Sequence, residues 1–207
     1  MIGGYGVYVF DIDGTVLNTA PGILGAVRKA LAECGFSVPQ EQITDDLIGP
    51  KIGEIVDILG VTSDPDVKAK VVAAFRRIYD ADPVTDTVFY PRGKEILDFA
   101  RAQNVPLFVA TNKPNGPTQL VLDAFKLDGF VDVYCPNKYP DIVLTKADML
   151  REIAEKYGYA PSDMLMIGDT MGDFKAAREC GCDFAFATWG YEKDKKTIAR
   201  QAEIVLE

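Results

Sequence analysis

The sequence predicts an α/β fold: a doubly wound parallel sheet with one α-helical insertion after its first strand. Three observations predict it. A β-branched and aromatic run, Val7-Tyr8-Val9-Phe10, stands near the N-terminus and opens into Asp11-Ile12-Asp13-Gly14-Thr15, which reads as a buried strand ending in a loop. From about 18 to 86 apolar residues recur at helical spacing and no convincing strand occurs. Beyond Pro91 short apolar runs alternate with amphipathic patterns, the rhythm of a parallel sheet covered on both faces. The core is therefore expected over 1–17 and 87–207, and the helical segment over 18–86.

Each element has its own warrant. Ile23, Val27, Ala30, Leu31 and Cys34 share one helical face, with Arg28, Lys29 and Glu33 opposite and Gly35 as the stop. A second stretch runs from Ile43 to Leu59 and is interrupted at Gly49-Pro50; Val67, Val71, Val72, Phe75, Ile78 and Tyr79 mark a third helix. Val105 to Ala110 reads as a strand, Gln119 to Phe125 as a helix and Val131 to Cys135 as a strand. Lys146 to Tyr157 is a helix with Ala147, Leu150, Ile153 and Ala154 on its apolar side. Met164 to Gly168 is a strand, Phe174 to Cys180 a helix, and Asp183 to Ala187 and Glu203 to Leu206 supply the last strands.

Composition narrows the function. With 207 residues, 48% of them hydrophobic, the chain can bury a core without disulfide or metal staples. A net charge of −9 with no Lys/Arg-rich block argues against nucleic acid. No apolar run approaches the roughly 20 residues that span a bilayer, and the N-terminus carries no secretory pattern, so a soluble cytoplasmic protein, monomer or homodimer, is expected. Cys34, Cys135, Cys180 and Cys182 include no Cys-x-x-Cys pair and read as reduced, mostly buried thiols. The chain has no histidine, and its three serines lie outside any Gly-x-Ser-x-Gly. That removes Ser-His-Asp systems and imidazole-based zinc sites. Chemistry must come from carboxylates, lysines, hydroxyls and a metal.

Ligands in open α/β sheets collect beyond the carboxyl ends of the strands. Asp11 and Asp13, Thr111 and Asn112, and Asp169 and Asp173 follow strands there, and Lys146 opens a helix on the same rim. Asp11 and Asp13 alternate around Ile12 and point to one side. Such clustered carboxylates repel unless a cation intervenes, and an all-oxygen set suits a hard ion, magnesium first. A phosphate monoester is a substrate that needs this set: metal to offset repulsion of a carboxylate nucleophile, a lysine and a hydroxyl for the phosphoryl oxygens. Asp13 then serves as acid to the leaving alkoxide and base to water, in covalent catalysis through an aspartyl phosphate.

Asp11-Ile12-Asp13-Gly14-Thr15-Val16 resembles the first motif of the haloacid dehalogenase superfamily, Asp-x-Asp-Gly-Thr. Val109-Ala110-Thr111-Asn112-Lys113-Pro114 resembles the second motif of its phosphoglycolate phosphatase-like branch, Thr145-Lys146-Ala147-Asp148 the third, and Ile167-Gly168-Asp169-Thr170-Met171-Gly172-Asp173 the fourth. The four stand in order across essentially the whole chain. The resemblance implies a Rossmann-like core with the helical segment as its cap, and a small phosphorylated metabolite as substrate. It implies Asp11 as nucleophile and Mg²⁺ ligand, Asp13 as backbone-carbonyl ligand and acid/base, Asp169 as ligand, and Asp173 as a water-mediated ligand or positioning group. Gly14, Thr15, Thr111, Asn112 and Lys146 would hold the phosphoryl group. Gly49-Pro50-Lys51 is similar to the cap loop that faces the site, which puts Lys51 among the substrate contacts.

Several readings stay open. Lys138 competes for the third-motif role, though Lys146 opens a cleaner helix. Lys51 and Lys113 are either solvated charges or substrate contacts, and Trp189 and Tyr191 read as rim packing. A phosphomutase of the β-phosphoglucomutase kind shares the nucleophile but shields its phosphoenzyme from water; a 5′-nucleotidase-type activity differs only in substrate. A dehalogenase leaves Asp13 without a task. A receiver-like phosphoacceptor domain takes its aspartate from a later strand and is about half this length.

Overall fold

The structure, a computed structural model, describes residues 2–49 and 51–207. Along the chain run strand β1 (Val7–Phe10), strand β2 (Leu17–Asn18), helices α1 (Ala20–Glu33), α2 (Ile52–Ile58) and α3 (Pro65–Ala81), strand β3 (Val88–Phe89) and helix α4 (Pro91–Ala102). They continue with β4 (Leu107–Ala110), α5 (Asn115–Ala124), β5 (Asp132–Tyr134), α6 (Lys146–Tyr157), β6 (Met164–Gly168), α7 (Met171–Cys180), β7 (Asp183–Ala187), α8 (Lys195–Ala199) and β8 (Ile204–Leu206). Two compact units emerge: Met1–Asn18 with Val88–Glu207, and Thr19–Thr87.

In the first unit six strands form one parallel sheet in the order β5-β4-β1-β6-β7-β8. The α/β class and parallel sheet are as the sequence predicts. β1, β4 and β6 are buried along their whole length, which explains why they read as unbroken apolar runs rather than alternating ones. The inner packing includes Val9, Phe108, Met166 and Phe184 against Met149 and Ile153 of α6 and Ala177 of α7. Strand order reverses beside β1: the chain first builds β4 and β5 on one flank, then β6, β7 and β8 on the other. That reversal opens a crevice at the carboxyl end of β1.

The second unit is helical. Leu24, Val27 and Leu31 of α1 and Val71, Phe75 and Tyr79 of α3 are buried where these helices pack together. Asp64 starts α3 by accepting from Asp66 N and Val67 N at 2.8 and 3.3 Å, and Pro65 occupies the first turn, where its missing N–H costs nothing. The stretch read as 43–59 resolves into a short 3₁₀ turn at Asp45–Leu47 and the helix α2. Pro50 of the Gly-Pro-Lys sequence lies outside the described residues.

The structure departs from the sequence reading in small elements. β2 pairs antiparallel with β3; two-residue strands carry no periodicity to detect. α4 escaped notice because its buried positions are few, Gly93, Leu97 and Ala100, amid a charged outer face. α5 begins at Asn115 rather than Gln119, since Pro117 is tolerated in a first turn. No helix among the described residues is long and apolar enough to cross a membrane.

Candidate active site

The loop after β1 is a tight knot around one carbonyl. Thr15, Val16 and Leu17 all donate their N–H groups to Ile12 O, at 3.3, 3.0 and 3.0 Å, and Gly14 N donates to Leu17 O at 2.8 Å. Gly14 takes φ +85°, a left-handed conformation that favours glycine. Asp11 N still donates to Ile167 O at 2.9 Å, so the first aspartate leaves the sheet edge in fixed register with β6.

Asp169, directly after β6, is fully buried. Its Oδ1 accepts from the Thr15 hydroxyl at 3.0 Å and its Oδ2 from Tyr191 N at 2.7 Å. Glycines make this slot: a Cβ on Gly14 or on Gly190 would come within 2.3 Å of Asp169 Oδ2. Asp173 lies one helical turn away on α7. Thr170 and Asp173 form a reciprocal cap, with Asp173 Oδ2 accepting from Thr170 N at 2.9 Å and from its hydroxyl at 2.6 Å. The same motif starts α6, where Thr145 and Asp148 cap each other and set Lys146 at the first helical position.

Lys146 reaches back from there with its side chain 5% exposed; its ammonium lies 3.1 Å from Asp11 Oδ2 and donates to Asp173 Oδ1. Lys113 makes a second pair, Nζ to Asp13 Oδ2 at 2.8 Å, with its side chain 3% exposed. Thr111, buried after β4, donates its N–H to Tyr134 O at 3.0 Å, and its hydroxyl accepts from Lys113 N at 3.2 Å. Asn112 is exposed.

Carboxylate oxygens of Asp11, Asp169 and Asp173 all lie within 4.8 Å of one another. Burial pushes the Asp11 carboxyl up to about 6; Lys146 pulls it back, while Asp173 and Asp13 add to the rise. Asp169 is also pushed well above the usual carboxylate range, by burial first and then by the charges of Asp173 and Asp11. Burial alone would lower Lys146, but Asp11 and Asp173 outweigh it and hold the ammonium charged. Among the described residues, Asp11 Oδ1 and Asp13 Oδ1 are buried without a hydrogen-bond partner. The two ammonium groups face only Asp13, Asp11 and Asp173, so ionising the buried Asp11 and Asp169 together leaves a local excess of negative charge that a divalent cation would offset. Donor chemistry, the free Asp11 oxygen and the charge excess all fit a hard cation.

The structure thus brings together Asp11, Asp13, Gly14, Thr15, Thr111, Lys146, Asp169 and Asp173. Lys138 is bonded elsewhere, with Nζ 2.7 Å from Asp132 Oδ1 and 2.9 Å from Val133 O, whereas Lys146 stands among the clustered aspartates. Lys51 is exposed, just ahead of α2 in the helical unit. Sequence reasoning leaves Lys113 open between a solvated charge and a substrate contact; the structure buries it in the site, two residues after Thr111 and paired with Asp13. Trp189 and Tyr191, expected as rim packing, lie in the loop after β7, where Trp189 Nε1 donates to Thr15 O at 2.9 Å; what sequence reasoning did not contain is the Tyr191 backbone N–H that holds Asp169. No residue type marks a backbone donor, so only the fold reveals it.

Known proteins resemble this chain in sequence and in fold. The family described as haloacid dehalogenase-like hydrolase matches residues 8–187. A phosphoglycolate phosphatase of Photobacterium profundum is 31% identical over 209 residues, covering 96% of this chain and 90% of its own. One from Pasteurella multocida is 31% identical over 195 residues, covering 88% and 85%. Among solved structures, a haloacid dehalogenase-like family hydrolase of Streptococcus pneumoniae superposes with TM-score 0.82 at 23% identity, over 97% of this chain and 93% of that one. Protein tyrosine kinase A of Mycobacterium tuberculosis has the fold too, with TM-score 0.76 at 23% identity over 93% and 88%, so fold alone does not name a reaction. With the four motifs converging on one rim and the family match spanning most of its length, the chain belongs to the haloacid dehalogenase-like hydrolase family, as a phosphoglycolate phosphatase-like enzyme of the phosphoric monoester hydrolase class.

Proposed function

We propose that this enzyme is Mg²⁺-dependent and hydrolyses small phosphate monoesters through an aspartyl phosphate on Asp11. The observation that carries the reading is Asp11 itself: a buried carboxylate with Oδ1 unpartnered and Oδ2 beside Lys146, in a cluster with the carboxylates of Asp169 and Asp173. Asp11, Asp169 and the backbone carbonyl of Asp13 would hold the ion. When bound, magnesium screens the repulsion between the Asp11 carboxylate and the phosphoryl oxygens.

The chain's own groups do the rest. Lys146 and the Thr111 hydroxyl, with Gly14, Thr15 and Asn112 around them, hold the phosphoryl oxygens as charge builds in the transition state. An Asp11 oxygen forms the new P–O bond as the ester P–O bond breaks, and the departing alkoxide takes a proton from Asp13. Asp13, now a carboxylate, accepts a proton from water as that water's oxygen attacks phosphorus. Inorganic phosphate leaves and Asp11 is regenerated. Asp173 keeps Lys146 in place.

Relatives named phosphoglycolate phosphatase make 2-phosphoglycolate the first substrate to assay, within a panel of nucleoside monophosphates and sugar phosphates. Asp11→Asn, nearly isosteric, is expected to release no phosphate above background while its circular dichroism stays that of the wild type. EDTA is expected to stop the wild type and Mg²⁺ to restore it. Substantial turnover by D11N in a clean preparation overturns the nucleophile assignment. Sugar-phosphate isomerisation without phosphate release would point to a mutase instead.

A further inference from the structure

We infer that Lys113 is a positioning residue that keeps the Asp13 carboxylate out of the cation cluster and free for proton transfer. The inference rests on the phosphatase reading above. Asp11 and Asp13 are two residues apart, yet their carboxylates have different company. Asp11, Asp169 and Asp173 offer oxygens within 4.8 Å of one another, and Asp13 is not in that group. Its Oδ2 is instead tied to Lys113 Nζ at 2.8 Å, while its Oδ1 is buried with no hydrogen-bond partner among the described residues.

The two lysines therefore divide three of the four aspartates between them. Lys146 faces Asp11 and Asp173, and Lys113 faces Asp13. Burying an ammonium group is costly unless it is paired, and Lys113, 3% exposed, meets that condition on Asp13. Its backbone is fixed at both ends: the N–H donates to Thr111 Oγ1 at 3.2 Å and the carbonyl accepts from Thr118 Oγ1 at 3.2 Å. An acid/base carboxyl needs one oxygen that can carry a proton and a neighbour that stops the group from turning to a metal. Asp13 has both. Without Lys113, the strongest positive partner left to Asp13 would be the cation, and a side chain drawn to the cation would be turned away from the leaving oxygen it must protonate.

The test uses the full-length enzyme with 2-phosphoglycolate, whose alkoxide needs a proton, and p-nitrophenyl phosphate, whose phenolate does not. Lys113→Met is expected to lower kcat on 2-phosphoglycolate roughly 100-fold or more, but on p-nitrophenyl phosphate by under roughly 10-fold. KM should move little. Lys113→Arg, which keeps the charge, should recover most of the loss. Mn²⁺ binding without substrate, measured by calorimetry, is expected to hold or tighten in K113M because Asp13 is released toward the ion. Equal losses on both esters overturn the inference, as does a raised KM with kcat intact, which would make Lys113 a substrate contact; weakened Mn²⁺ binding overturns it as well. If K113M does not fold, Lys113→Gln carries the same measurements, since its amide donates a hydrogen bond without charge. A wild type that releases phosphate from neither ester defeats the phosphatase reading itself, a result distinct from any of these.

Discussion

Asp169 sits in a slot so narrow that one methyl group should dislodge it. In Gly190→Ala the added Cβ would lie 2.3 Å from both Cβ and Oδ2 of Asp169 and 2.5 Å from its Cγ, against the ~3.5 Å at which carbon atoms rest. Gly190 does not take a left-handed φ, so contact alone decides the outcome. About 1 Å must be found. Asp169 cannot retreat, because its other side is packed by Gly14. Moving the loop instead stretches the 2.7 Å bond from Tyr191 N. Loss of a hydrogen bond to a charged group costs about 1.5–3 kcal/mol, and overpacking adds about 1–3 kcal/mol. A destabilisation of about 2.5–6 kcal/mol, or roughly 5–24 °C in Tm, is expected, together with a roughly 10–100-fold weaker Mg²⁺ affinity, on the order seen when a ligand's supporting partner is removed. Differential scanning calorimetry and Mg²⁺ titration measure the two. Gly116→Ala is the control, since its Cβ would meet nothing within 4 Å and should shift stability by under about 1 kcal/mol. A G190A protein melting within about 2 °C of the wild type, with unchanged Mg²⁺ affinity, refutes the reasoning.

Thr170→Ala removes the cap of α7 and a hydroxyl donor to Asp173. A loss of about 1–2 kcal/mol in urea unfolding is expected, with kcat falling as Asp173 loosens its hold on Lys146; unchanged stability would deny the cap its role. At Asp132 partial burial works against ionisation but is outweighed by hydrogen bonds from Lys138, Lys156 and Val133 N–H, so its carboxyl is held down to about 2. A folded pKa below the unfolded value near ~4 means stability present above pH ~4 and lost as pH falls toward 2. Asp132→Ala is therefore expected to cost about 1–2 kcal/mol at pH 7. The gap to the wild type should shrink in urea curves taken at pH 3, and a gap that widens there would contradict the assignment.

How much of this was legible beforehand follows from what each feature depends on. β1, β4 and β6 were legible because buried strands of a parallel sheet must be apolar on both faces, and a run such as Val7-Tyr8-Val9-Phe10 has few other uses. α6 was legible because Ala147, Leu150, Ile153 and Ala154 recur at helical spacing on one face. α4 was not, because Gly93 is buried there for closeness rather than for apolarity: a Cβ on it would lie 2.3 Å from Thr15 O. The pairing of β2 with β3 depends on residues about 70 positions apart and on no local preference.

The site divides along the same line. Residue types gave a cluster of carboxylates with a lysine, but not who pairs with whom, and pairing is what separates the roles. Asp173 spends Oδ2 on two donors from Thr170 and Oδ1 on Lys146. A carboxylate has about four lone-pair sites, so it has little left to offer a metal directly. Asp169 takes one donor on each oxygen and keeps a lone pair on both. Asp11 keeps a whole oxygen. The hydrogen bonds thus rank the three by what each has left to offer a cation, Asp11 and Asp169 ahead of Asp173, which is engaged in anchoring Lys146. The fourth-motif aspartates, four residues apart and alike in sequence, are made unlike by what the first turn of α7 demands of one of them.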